Sequence, residues 1–489
     1  MHAEQAYLFR HALLRDASYE LQLPAQRGSL HLLAAELIEQ LVGEAPEAAG
    51  EIADHLLSAR TFDDRPGLQQ REALWCARAA SEAARAYMLP EALRRWLRVA
   101  AVSEGDEAGR AWLQAGAAAR ALGDRQQFEA ASQHALALAR AGTDRGMECE
   151  ALEHTANVAF DRGDYATAAA ITGQALELAR QNGETRHELG LMSNQALNYL
   201  ELGRLEDSAA VYAELMPRLD DNDESSTHAY LNYAMLLDRQ GQAQAAHEWF
   251  QRALKLNRAR GLMDSEASAL NHLGTMAWKA QRLDEADDCF AQALALARRI
   301  GDPHLHALTL SNIGLLRQDQ GRGPESLTVL KNAEALCEEF ALASLHAISV
   351  ANLAFAYRQL NQPHQAEACM QRSAEICLRY GDRAGHAMAM GNVASIYSGR
   401  GELERARQIF EAILPVEQEL SQWRFLGNHR CEYSMVLAQL ADLDAAGKEW
   451  TAGYALVLKH GTAHEIPRRL QRMQRVCGAL GIAPFPTPA

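Results

Sequence analysis

The stretch Asn312-Ile313-Gly314-Leu315-Leu316-Arg317-Gln318-Asp319-Gln320-Gly321-Arg322-Gly323-Pro324-Glu325-Ser326-Leu327-Thr328-Val329-Leu330 decides the fold. Gly321 sits where a helix must stop, because glycine enters the left-handed conformation at a helix C-terminus without steric cost. A small residue stands seven positions before it (Gly314) and another five positions after it (Ser326). A large apolar one, Leu330, follows four residues later on the same helical face. Two helices that offer small residues to each other across a tight turn form a hairpin.

The same arrangement recurs along the chain, and a fixed period is the strongest architectural signal a sequence carries. Gly123, Gly163, Gly203, Gly241, Gln281, Gly321, Asn361, Gly401 and Ala441 stand at intervals of 40 residues, except for one of 38 between Gly203 and Gly241. Seven positions earlier come Gly116, Ala156, Ala196, Ala234, Gly274, Gly314, Ala354, Ala394 and Ser434. Five positions later come Ala168, Ser208, Ala246, Ala286, Ser326, Ala366, Ala406 and Ala446, with Phe128 the exception. Tyr212, Phe250, Phe290, Leu330, Met370, Phe410 and Trp450 are the expected core knobs. Gly183, Gly261, Gly301 and Gly381 close the second helices, and Ala80, Ala92 and Trp96 mark a less regular unit ahead of the series.

The expectation is an all-α, right-handed solenoid of about ten hairpins. Its divisions are a non-repeat helical segment over 1–60, an irregular hairpin over 61–104 and the solenoid over 105–460. A capping helix and a proline-rich tail follow over 461–489.

This small-small-large pattern around a turn resembles the tetratricopeptide repeat, in the lengthened form of kinesin light chains and peptide-sensing bacterial regulators, over about four fifths of the chain. The family's first-helix aromatic remains as Tyr199, Tyr357 and Tyr397, and its closing proline is mostly missing. The resemblance implies a concave surface lined by the first helix of each pair. Nine positions before the turns stand Asn194, Asn232, Asn312, Asn352 and Asn392, with His154 and His272 at the same place in two other repeats. The equivalent asparagine in peptide-binding relatives grips the ligand's main chain, and the resemblance carries that role to these five. A primary amide can both donate to and accept from one peptide unit. The competing reading makes these amides bridges between neighbouring helices. Phe160, Leu200, Asp238, Trp278, Gln318 and Arg358, three positions before their turns, together with Phe355, are candidates for side-chain pockets.

Composition narrows the function classes. The formal charge of −15 opposes nucleic acid and anionic lipid as partners. Eight scattered cysteines without a CxxC pair suggest neither a zinc site nor a disulfide framework. No 18-residue apolar run or secretory leader is evident, so the chain reads as cytoplasmic.

No phosphate loop, GxSxG elbow, kinase signature set or HExxH pair occurs, and neither an enzyme, a cofactor nor a metal is expected. The segment from Tyr7 to Tyr19 resembles the junction of winged helix and repeat in STAND-class signalling ATPases, with His11 and Leu14-Arg15-Asp16 in the place of their nucleotide-sensing motif. Two functions stay open. One is a scaffold or sensor that binds a protein or extended peptide and acts in signal transduction. The other is the regulatory half of an ATPase or kinase whose catalytic module lies on another or longer polypeptide.

Overall fold

The computed structural model describes residues 19–43, 46–62, 67–222, 225–340, 342–461 and 465–487. These form 23 α-helices and no strand, and the chain makes two compact units, residues 1–151 and 152–489. The junction motif around His11 lies outside the described residues.

The first unit contains α1 (Pro24–Val42), α2 (Ala49–Arg60), α3 (Leu68–Arg85), α4 (Leu89–Val102), α5 (Gly105–Ala121) and α6 (Arg125–Ala141). Ile52, Leu56, Trp75, Ala79 and Val99 make its principal core. Glu72 is fully buried there and is neutralised by Arg60 at 2.8 Å and Arg98 at 2.5 Å, as a buried carboxylate requires.

The second unit takes in the C-terminal half of α7 (Arg145–Asp161) and then alternates outer and inner helices. The outer ones are α8 (Tyr165–Asn182), α10 (Leu205–Leu215), α12 (Ala243–Arg260), α14 (Leu283–Ile300), α16 (Gly323–Glu339), α18 (Pro363–Arg379), α20 (Leu403–Glu419) and α22 (Leu443–His460). Between them run the inner helices α9 (Thr185–Glu201), α11 (Ser225–Arg239), α13 (Met263–Lys279), α15 (Pro303–Asp319), α17 (Ala343–Gln359), α19 (Arg383–Gly399) and α21 (Trp423–Gln439), with α23 (Glu465–Leu480) last. Each helix packs chiefly on its sequence neighbours, the pattern of an α-solenoid.

All nine turn residues adopt positive φ, between 56° and 80°, including the non-glycine Gln281, Asn361 and Ala441. At each turn the next residue's N–H reaches back to a carbonyl five residues earlier, for example Arg282 to Ala277 at 2.8 Å and Asp442 to Leu437 at 3.0 Å. That bond satisfies a carbonyl the ending helix leaves open. Gly481, with φ 66° and a bond from Ile482 N–H to Cys477 O, repeats the geometry, so α23 keeps the register of an inner helix.

The small and large positions interlock. A Cβ built on Gly274 would come within 2.7 Å of Phe290, and one on Gly314 within 2.5 Å of Leu330. Only the missing side chain lets the knob of the outer helix seat against the inner helix. Phe250, Phe290, Phe410 and Trp450 are each 1% exposed or less. The 38-residue interval has its own cause: α10 stops at Leu215, a 3₁₀ turn from Met216 to Arg218 contains Pro217, and α11 begins late. Asp221 ties this loop down, accepting from Arg252 and from Tyr230 Oη at 2.8 Å.

Candidate functional site

The asparagine register runs along the inner helices, and its members differ in what they touch. Asn194 Nδ2 donates to Glu153 Oε1 at 2.8 Å, Asn232 Nδ2 to Ser193 Oγ at 3.3 Å, and Asn312 Nδ2 to Asn271 Oδ1 at 3.3 Å. In each case the acceptor sits on the preceding inner helix, ten positions before its turn. These three amides bridge neighbouring repeats, with one N–H of each occupied. Asn271 extends the bridge by donating to Thr309 Oγ1 at 2.8 Å.

Asn352 and Asn392 are half-buried and make no hydrogen bond within the described residues. The cause is in the preceding helix. The acceptor position facing Asn392 is Ala351, which has no polar side chain. The one facing Asn352 is Ser311, whose hydroxyl is engaged with Ser349 at 3.0 Å. Both amides therefore keep their full donor and acceptor capacity.

His154 is half-buried at the start of the register. His272 stacks on Phe250 with ring centroids 4.9 Å apart and planes within 9°. Desolvation pushes its pKa down to about 4, a shift that Asp238 opposes and Lys279 assists, so the ring is neutral at pH 7.

One turn further along, the candidates divide in the same way. Asp238 is paired with Lys279 at 2.6 Å, and Trp278 Nε1 donates to Asp319 Oδ2 at 2.7 Å, each contact joining neighbouring repeats. Phe160 meets Tyr165 edge-on, with centroids 5.1 Å apart. Leu200 does not belong to a binding surface: it is 0% exposed and packs in the core with Tyr212 and Leu215, because this register turns toward the outer helix as readily as toward the groove. Phe355 packs against the C-terminal core, and Arg358 lies over its ring at 5.0 Å.

Arg358 has solvent-accessible surface yet is flanked by protein, so desolvation leads the causes that lower its pKa. Arg468 and Arg472 on α23 lower it further. Solenoid curvature brings these distant repeats together, just as it brings Asp382 Oδ1 within 3.8 Å of a Cβ built on Gly163, six hairpins earlier. No ion pair to Arg358 or Arg468 exists among the described residues.

Besides the two histidines, two further members of the register are not asparagine. Glu432 and Arg472 stand nine positions before Ala441 and Gly481, and they pair with each other at 2.7 Å. Arg469 also binds Glu432 and donates to Asn428 Oδ1 at 2.7 Å, while Asn428 donates to Glu465 at 3.2 Å. This network fastens α23 to α21. Counting nine positions back from Ala441 gives Glu432, and one more period of 40 to Gly481 would have revealed Arg472.

Residues 227–260, 265–340 and 344–419 match the tetratricopeptide repeat family. The hairpins within these residues are tetratricopeptide repeats. Among curated proteins no sequence matches the chain. It is similar in structure to a Rap protein complexed with competence and sporulation factor, with 13% identity, 68% of this chain and 98% of that one covered, and a TM-score of 0.47. It is also similar to the Rap conjugation gene regulator of plasmid pLS20 in complex with the Phr* peptide (15% identity, 65% and 96% covered, TM-score 0.47). BtubC from P. vanneervenii is a third similar structure (19% identity, 52% and 95% covered, TM-score 0.36).

Proposed function

We propose that the chain is a protein- or peptide-binding scaffold whose ligand lies as an extended segment along α17, α19 and α23. The observation that carries this reading is the pair of half-buried amides, Asn352 and Asn392, in register on successive inner helices with no hydrogen-bond partner among the described residues. A half-buried amide without a partner is an incomplete arrangement, and an extended peptide presents an N–H and a C=O at regular intervals to complete it. Asn194, Asn232 and Asn312 retain a carbonyl and one N–H each and extend the same row more weakly.

Two amides at a net ~1 kcal/mol each fall well short of the roughly 8 kcal/mol of micromolar binding, so ligand side chains must bury apolar surface as well. Phe355 and Trp278 are the surfaces available for that.

The test is retention of a random heptapeptide pool on the immobilised full chain and on the variant Asn352→Ala/Asn392→Ala. The scaffold reading expects the native chain to hold a subset of peptides that the variant releases. Retention of the same subset by both would contradict it.

A further inference from the structure

The helix α1 turns its small residues inward and its large ones outward. Gly28 and Ala35 are buried, His31 is hydrogen-bonded to His55 of α2 with the two Nδ1 atoms 2.9 Å apart, and Glu39 accepts from Arg71 of α3 at 2.8 Å. Spaced by three and four residues, these four define the face that α1 lays on the first unit. On the opposite side of the helix stand Leu30, Leu33, Leu37 and Leu41, with Leu23 at the N-cap in line with them. Their exposure runs from 48% at Leu37 to 77% at Leu41. No charged side chain interrupts this stripe, which Gln26 and Gln40 complete. The bordering charges are paired within the chain, Arg27 with Glu20 at 2.8 Å and Glu36 with Arg71 at 3.6 Å.

A helix that is apolar on both sides belongs in an interior, and a stack of helical repeats needs a polar face wherever it meets water. In α23 that face is present, with Arg468, Gln471, Gln474 and Arg475 among its exposed positions. In α1 leucines take its place.

We propose that α1 is the contact through which two copies of this chain pair, antiparallel about a two-fold axis between His31 and Leu32. Leu30 of each copy then meets Leu33 of the other, and Gln26 and Gln40 meet Leu37 and Leu23 at the two ends of the seam. The spacing fits, because Leu23, Leu30 and Leu37 recur every seven residues with Leu33 between them, the pattern of a seam between two helices. The charge fits as well. A chain of net charge −15 repels its own copy over most of its surface, and this uncharged stripe lets two copies approach without setting like charges opposite each other. Five leucines so exposed approach the roughly 300–600 Å² of the largest apolar patches on monomers. Two such faces with their glutamines come to on the order of 1,200 Å², the lower end of specific interfaces. The proposal is independent of the groove reading above.

The test is sedimentation equilibrium of the full chain and of four variants: Leu30→Lys, Leu33→Glu, the double variant Leu30→Lys/Leu33→Glu and, as a control on α18, Leu378→Lys, whose leucine is 62% exposed. The native chain is expected to dimerise in the micromolar range. Each single substitution in α1 should weaken the dimer at least about tenfold while leaving helicity intact, since it puts a charge into the apolar seam without touching the core. The double variant should dimerise more tightly than either single one, because the two-fold sets each lysine opposite a glutamate. Leu378→Lys should change nothing.

A native chain that stays monomeric would overturn the proposal. In that case co-sedimentation with phosphatidylcholine vesicles would assign the stripe to lipid, and a loss of stability in Leu33→Glu would assign it to another segment of the chain. A dimer indifferent to both α1 substitutions, or weakened equally by Leu378→Lys, would reject α1 as the contact. Failure of the double variant to regain affinity would reject the antiparallel two-fold.

Discussion

In α9, α11 and α15 the register amides are tied to the preceding inner helix, whereas in α17 and α19 they are not. The two stretches share one frame: the same left-handed turns, the same small residues seven positions earlier and the same buried knobs. They differ in whether the neighbouring repeat supplies an acceptor. Where Glu153, Ser193 or Asn271 stands, the asparagine stabilises the solenoid. Where Ala351 stands, or Ser311 already engaged, the same residue type makes no hydrogen bond among the described residues. The next register along repeats the contrast, with Asp238 and Trp278 paired across repeats and Arg358 without an ion pair among the described residues.

The shared frame is tested by the largest effect. Phe290→Ala in the first stretch and Phe410→Ala in the second should each cost about 3–5 kcal/mol in urea unfolding, since both side chains are fully buried. A large difference between them would show that the frames are unequal.

Removal of Glu432 should cost about 2 kcal/mol, because it leaves Arg469 and Arg472 facing each other, and α23 should loosen first. Faster hydrogen exchange over residues 465–480 than elsewhere in Glu432→Ala would show this, and unchanged exchange there would contradict it.

Acid should separate the stretches as well. His272 has its folded pKa depressed to about 4, below its ordinary value of 6.5, so the unfolded chain binds the proton more readily. The stability this neutral ring contributes is complete above pH 6.5 and is lost as pH falls toward 4. Replacement by Gln should flatten that part of the stability profile, and an unchanged slope would count against the assignment.

The bridging amides should behave unlike the free ones. Asn194→Ala and Asn312→Ala should each lose ~1 kcal/mol of stability, and Asn352→Ala and Asn392→Ala almost none. Denaturant midpoints decide it. The smallest effect is a gain: Gln281→Gly and Ala441→Gly should stabilise by about 0.5–1 kcal/mol, since both non-glycine residues occupy left-handed turns at φ 60° and 66°. Unaltered midpoints would mean that the chain entropy added by glycine cancels the relieved strain.

Much of the frame was legible because it depends on residue size at fixed spacing, as Gly274 against Phe290 and Gly314 against Leu330 show. The division within the asparagine row was not read, although its signal was present. It lies in the pairing of one repeat with the next, Asn392 with Ala351 and Asn194 with Glu153, rather than in any single column. Leu200 was misplaced because position three before the turn serves core and surface alike.

The most direct test is hydrogen exchange on the native chain with and without the heptapeptides it retains. The account predicts slowed exchange over residues 343–359, 383–399 and 465–480, and little change over 185–201 and 225–239. Protection confined to the latter two stretches would contradict it, and the bridging asparagines would then be the binding row.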